Sequence, residues 1–144
     1  MAIDSFMGKY RFLSNFHYAE ITFNGWLYPT VEHAYQAAKT TDPALQEVIR
    51  LAAKPGIAKR LGKALKTKGL MRPDWQSMSL SVMELLVRQK FIRHADLRQM
   101  LLDTGDQELI EGNTWGDVFY GVCKGVGENH LGKILMKVRS ELRS

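Results

Sequence analysis

Apolar and polar positions along the chain fall into blocks with different periods. Ile21 and Phe23 alternate with Thr22, Asn24-Gly25 supplies the two positive-φ positions of a tight turn, and Trp26-Leu27-Tyr28 returns. This predicts a hairpin over residues 19–29. Ahead of it, Phe12 to Phe16 reads as a short loop or strand. From Thr30 the period becomes helical. Thr30 can cap a helix from Val31 to about Lys39. Asp42-Pro43 is a cap followed by proline at the first helical position, which opens a helix to about Ala53. Pro55 opens another, with Ile57, Leu61 and Leu65 at helical spacing and a break at Gly69. Asp74 caps a long helix with Met78, Val82, Leu85 and Leu86 as its apolar face, continuing to Phe91.

The second half repeats this alternation on a smaller scale. His94 to Leu102 is one more short helix, stopped near Gly105, and Glu108-Leu109-Ile110-Glu111 reads as a strand. Residues 113–128 are glycine-rich. Asn129 can cap a last helix with Leu131, Ile134, Leu135, Val138 and Leu142 inward. The expected fold class is α+β, mostly helical with a small β portion, forming one domain over residues 1–144.

Composition narrows the function classes. The 144 residues, 45% of them hydrophobic, suffice to bury one core. No apolar run reaches the roughly 18 to 20 residues of a membrane span. The first residues, Met1-Ala2-Ile3-Asp4-Ser5-Phe6, lack the basic and apolar regions of a secretory signal. The lone Cys123 and the scattered His17, His33, His94 and His130 point away from disulfides and metal sites. The expectation is a cytoplasmic protein with no metal, no cofactor and no membrane partner. The net charge of +5 favours anionic partners such as phosphates or nucleic acid, or is simply a solvated basic surface. Lys54, Lys59, Arg60, Lys63, Lys66 and Lys68 concentrate that charge.

Three segments could carry chemistry. On a helix, Glu32, Tyr35, Gln36 and Lys39 share one face, with Ala34, Ala37 and Ala38 leaving room beside them. Such a stripe suits either a pocket wall or an ordinary solvated face. Asn113-Thr114-Trp115-Gly116-Asp117, followed by Tyr120-Gly121, sets an aromatic beside an aspartate among glycines. That turn suits a sugar or an anion, or is a structural turn around a tryptophan. It is neither a P-loop nor a dinucleotide fingerprint. Trp75 could be core or could cover a planar ligand, and Arg11 and Asn15 could contact phosphate and sugar. Two carboxylates, Glu32 and Asp117, together with tryptophans, form a constellation suited to glycosidic chemistry.

These residues match a known pattern. The chain resembles the NADAR superfamily, also called YbiA-like proteins. The resemblance rests on Phe12-Leu13-Ser14-Asn15-Phe16, Pro29-Thr30-Val31-Glu32-His33-Ala34-Tyr35-Gln36-Ala37-Ala38-Lys39, Arg72-Pro73-Asp74-Trp75 and Lys90-Phe91. It continues through Asn113-Thr114-Trp115-Gly116-Asp117 and Asn129-His130-Leu131-Gly132-Lys133-Ile134-Leu135-Met136. It implies an N-glycosidase that cleaves a bond between ribose and nitrogen. Two substrate classes follow from it: ADP-ribose attached to guanine in nucleic acid, and phosphorylated ribosylamino intermediates of riboflavin synthesis. A non-catalytic ADP-ribose-binding module is the third reading. The resemblance implies Glu32 and Asp117 as catalytic acids, with Trp75 and Trp115 shaping the site. Arg11, Asn15, Tyr35, Gln36, Lys39, Asn113, Gly116 and Gly121 would bind substrate. The implied partners are ADP-ribose or a ribosyl phosphate, with nucleic acid as its carrier. The chain departs from riboflavin-linked members in a longer turn after Asp117, where Val118-Phe119-Tyr120 precedes Gly121.

Overall fold

The structure, a computed structural model, describes residues 1–143. Strand β1 (Ala2–Ile3) and a 3-10 turn (Gly8–Leu13) lead to β2 (Ile21–Phe23) and β3 (Trp26–Tyr28). Helices α1 (Val31–Ala37), α2 (Pro43–Arg50), α3 (Pro55–Thr67), α4 (Trp75–Arg93) and α5 (Ala95–Asp103) follow. Then come β4 (Glu108–Leu109), β5 (Gly112–Asn113), β6 (Val122–Cys123) and α6 (His130–Leu142). The α+β, mostly helical class is as expected. Among the described residues no helix is long and apolar enough to cross a membrane. The chain divides into two compact units, Asn15–Lys90 and the pair of segments Met1–Ser14 and Phe91–Ser144.

The Asn15–Lys90 unit is built on α1. Asn24 and Gly25 adopt the positive φ values of 52° and 82° that the hairpin turn demands. The Thr30 hydroxyl accepts from His33 N at 3.0 Å, the predicted cap. Every residue from Val31 to Ala38 is buried. That removes the solvated-face alternative for this helix. His33 is a strut: its ring nitrogens lie 2.7 Å from Thr30 Oγ1 and 3.0 Å from the Ala52 carbonyl. A carbonyl only accepts, so Nε2 carries the proton and Nδ1 takes the Thr30 hydroxyl proton. Burial lowers the pKa of His33, and the Ala52 bond opposes that shift. Helix α3 lies against α1 through Ala58, Gly62 and Leu65. A Cβ at Gly62 would sit 2.9 Å from Gln36 Cβ, so only glycine permits this approach.

Several expectations shift here. The segment around Phe12 is a 3-10 turn rather than a strand, and α1 and α2 end at Ala37 and Arg50, earlier than predicted. Ile57 and Leu61 are only half-buried, because the close approach to α1 selects Ala58 and Gly62 instead. On α4 Leu85 is 51% exposed. The buried line is instead Trp75, Ser79, Val82, Met83, Leu86, Val87 and Lys90.

In the other unit, β1 pairs in parallel with β4 and β5 in parallel with β6. Asn129 has the left-handed φ of 55° and stands at the start of α6, but its side chain does not cap the helix. Its Nδ2 donates to Leu109 O at 2.9 Å and its Oδ1 accepts from Glu111 N at 2.9 Å. Gly132 lets α6 close on the same carbonyl, since a Cβ there would overlap Leu109 O. The Asn129–Gly132 pair thus fixes α6 onto β4.

Candidate active site

In the Asn15–Lys90 unit the structure brings together six of the predicted residues. Glu32 is 7% exposed, in the first turn of α1, where the helix dipole favours a negative charge. Its backbone N–H donates to Asn15 O at 3.2 Å. Gln36, one turn on, donates from Nε2 to Glu32 Oε2 at 2.5 Å and so orients the carboxylate. Gln36 Oε1 is buried and has no hydrogen-bond partner among the described residues. Lys39, a further turn on, is half-buried, and its Nζ lies 5.6 Å from the centroid of the Tyr35 ring. Burial lowers the Lys39 pKa, the attraction of Glu32 raises it, and repulsion from Lys59 and Lys66 lowers it again. Tyr35 meets Trp75 edge-on, with ring centroids 5.1 Å apart. Trp75 is buried, so its indole forms packing around Tyr35 rather than an open stacking platform. Asn15 is also buried, with Nδ2 3.4 Å from Met83 Sδ.

The other unit gathers Asn113, Trp115, Gly116, Asp117 and Gly121 in and around one turn. Asp117 Oδ1 accepts from the backbone N–H groups of Phe119 at 3.1 Å and Tyr120 at 2.9 Å. Asn113 braces the same turn, accepting from Asp117 N at 3.1 Å and donating to Asp117 O at 2.8 Å. Gly116 takes the positive φ of 84° that closes it. Gly121 is required by crowding, because a Cβ would overlap the Glu111 carboxylate and lie 2.7 Å from Asn113 Nδ2. Trp115 is 59% exposed. Arg11 is exposed on the 3-10 turn.

Sequence reasoning missed Glu111, whose carboxylate accepts from Asn113 at 3.1 Å. It lay in a segment read only as a strand. The approach of Lys59 and Lys66 to Lys39 was likewise invisible, since it depends on how α3 crosses α1. A cavity of about 330 Å³ lined by Trp26, Tyr28, Pro43, Gln46, Glu47 and Arg50 contains none of the predicted residues.

The family model of the NADAR domain matches residues 5–143. The chain belongs to the NADAR family. Its span takes in Arg11, Glu32 and Asp117 alike. The NADAR domain described here is 42% identical over 139 residues to an N-glycosidase of Nostoc punctiforme, covering 94% of this chain and 87% of that protein. It is 39% identical over 134 residues to N-glycosidase YbiA of Escherichia coli, covering 92% and 82%. A riboflavin biosynthesis protein of Vibrio vulnificus is 41% identical over 136 residues, and there the NADAR chain spans only 36% of the relative's length. The NMR structure of the E. coli protein YbiA superposes with a TM-score of 0.86 at 35% identity, covering 99% of this chain and 85% of that one.

Proposed function

We propose that this NADAR protein, a hydrolase of N-glycosyl bonds, removes ADP-ribose from ADP-ribosylated guanine in DNA. The observation that carries the reading is the Glu32 carboxylate, buried, oriented by Gln36 and electrostatically coupled to Lys39. A carboxylate so held suits a general base or a stabiliser of an oxocarbenium-like sugar. In the reaction a water oxygen bonds to the anomeric carbon and gives its proton to Glu32. The carbon–nitrogen bond breaks, its electron pair leaves with the guanine nitrogen, and that nitrogen takes up a proton. Asp117 is the proposed second acid, on the strength of its motif, with its orientation set by the two amides it accepts from. Tyr35, Lys39, Asn15, Asn113 and Arg11 are the proposed substrate contacts, and the exposed Trp115 the proposed stacking surface.

A second reading, hydrolysis of a phosphorylated ribosylamino intermediate of riboflavin biosynthesis, is favoured by the name of the Vibrio vulnificus relative. Both substrates are to be incubated with the protein side by side and products followed by mass spectrometry. Release of ADP-ribose from the DNA with the higher kcat/KM supports the first reading, and the reverse order supports the second. Glu32→Gln should lower kcat by about 10²- to 10⁴-fold while leaving much of the substrate binding. Ligand binding without turnover by wild type and variant alike would make the protein a binding module and sink both readings.

A further inference from the structure

The basic charge of this protein is segregated. Residues 48–73 contain eight lysines and arginines and no aspartate or glutamate. The other 118 residues hold the remaining twelve basic side chains against all fifteen acidic ones, so the segment carries +8 and the rest −3. Lys54, Lys59, Arg60, Lys63, Lys66 and Lys68 are all exposed. Like charges three and four positions apart on a helix repel, each pair at a cost of about 0.2–0.5 kcal/mol, and α3 itself has no acidic residue to offset them.

Their arrangement is ordered by the packing of the helix. Ala58, Gly62 and Leu65 form the buried line of α3, and Lys59, Lys63 and Lys66 each follow one residue later. They therefore form a parallel stripe rotated by about 100° from the buried line. Both ends of that stripe act electrostatically on Lys39 of α1, which is coupled to Glu32. From Lys59 to Lys66 the stripe runs about 10 Å along the axis, the rise of about three phosphates in one strand of B-form DNA. A single diphosphate is too short to engage all of it.

We propose that the Lys59–Lys63–Lys66 stripe of α3 is a docking track for the sugar–phosphate backbone of a nucleic-acid strand. It rests on the reading that the substrate base belongs to a nucleic acid, and it adds where that polymer lies relative to α1.

The test uses unmodified, fluorescein-labelled single-stranded and duplex oligonucleotides, with anisotropy measured over a salt series. Losing three phosphate contacts should reduce the slope of log K against log salt by about 2 on the single strand and about 2.7 on the duplex, weakening binding about 100-fold and about 500-fold at 0.1 M salt. The variant K59Q/K63Q/K66Q should show both effects. K59R/K63R/K66R should retain the wild-type slope. K124Q/K133Q/K137Q, with the same change in net charge, should retain it too. Equal losses in the two glutamine triples, or loss in the arginine triple, overturn the track. So does wild-type binding to phosphatidylserine vesicles without binding to either oligonucleotide. Because the oligonucleotides are unmodified, failure of the wild-type protein to bind either one while it hydrolyses free ADP-ribosyl-guanosine overturns this inference alone. Docking without any hydrolysis overturns the catalytic reading and leaves the track standing.

Discussion

Gly62 stands where α3 packs against α1, and it connects helix packing to the candidate catalytic carboxylate. In Gly62→Ala the new methyl would overlap Gln36 Oε1 and lie 2.7 Å from its Cδ and 2.9 Å from its Cβ. The amide could swing aside, but Gln36 Cβ is fixed to the backbone of α1, so the helices must part. Two terms oppose each other. Alanine gains about 1 kcal/mol of helix propensity over glycine. Overpacking costs about 1–3 kcal/mol, and loss of a hydrogen bond to a charged group about 1.5–3 kcal/mol. The clash wins, by about 1.5 to 5 kcal/mol, or a fall in Tm of about 5 to 15 °C. Gly56, in the first turn of the same helix, would present its new methyl to open space, with nothing within 4 Å, so Gly56→Ala should be neutral or up to about 1 kcal/mol stabilising. Urea denaturation followed by circular dichroism reads both through the midpoint at constant m. Glycosidase activity should fall in Gly62→Ala because Gln36 no longer orients Glu32, and should persist in Gly56→Ala. Equal stability of the two variants would refute the reasoning.

Three other perturbations separate the roles of buried and turn residues. Lys90 is fully buried, and desolvation lowers its pKa to about 7, below the unfolded value near 10.4. The unfolded chain therefore binds more protons between these values, and Lys90 should make stability rise with pH across that window, by up to about 5 kcal/mol. Lys90→Met should abolish that rise in denaturant titrations at several pH values; an unchanged pH dependence contradicts it. The folded pKa of His33 also lies below its unfolded value near 6.5, so its contribution is present above that pH and fades as pH falls below it. His33→Asn should be less stable at neutral pH, with the gap narrowing in acid; a constant gap counts against the neutral strut. For the turn, Asp117→Asn should keep the Phe119 and Tyr120 amide bonds and Asp117→Ala should lose them, at about 1 to 3 kcal/mol. If Asp117 is also an acid in the reaction, activity falls in both variants, so the two effects come apart in a comparison of Tm with kcat.

Much of the local structure was legible because its cause was local. Asn24-Gly25, Thr30 and Asp42-Pro43 determine the hairpin and two helix starts through their own backbone and side-chain preferences. The two parallel pairs were not legible. Each strand is two residues long, and β1 and β4 are joined by contacts across more than a hundred residues. Helix faces were misjudged where hydrophobicity and packing disagree: Leu85 points out, while Gly62 and Lys90 are buried. Asn129 looked like a cap because it precedes a helix, yet its partners are Leu109 and Glu111, about twenty residues upstream. In the candidate site, the Glu32–Gln36–Lys39 stripe was visible in helical spacing. What surrounds it, Trp75 against Tyr35 and two lysines of α3 near Lys39, depends on tertiary packing.

The Gln36 amide is also a sensor of charge. Its Nε2 donates to Glu32 Oε2, an oxygen that accepts most strongly while the carboxylate is ionised. When Glu32 takes a proton onto that oxygen, two donors face each other, and the amide gains by turning over to offer its carbonyl. Gln36 Oε1 has no hydrogen bond to give up in that rotation, and the bare Cα of Gly62 leaves the neighbouring space without a side chain. If Glu32 is the base proposed above, its protonation is coupled to the rotamer of a neighbouring amide, and the side-chain NH₂ resonances of Gln36 would shift as Glu32 titrates.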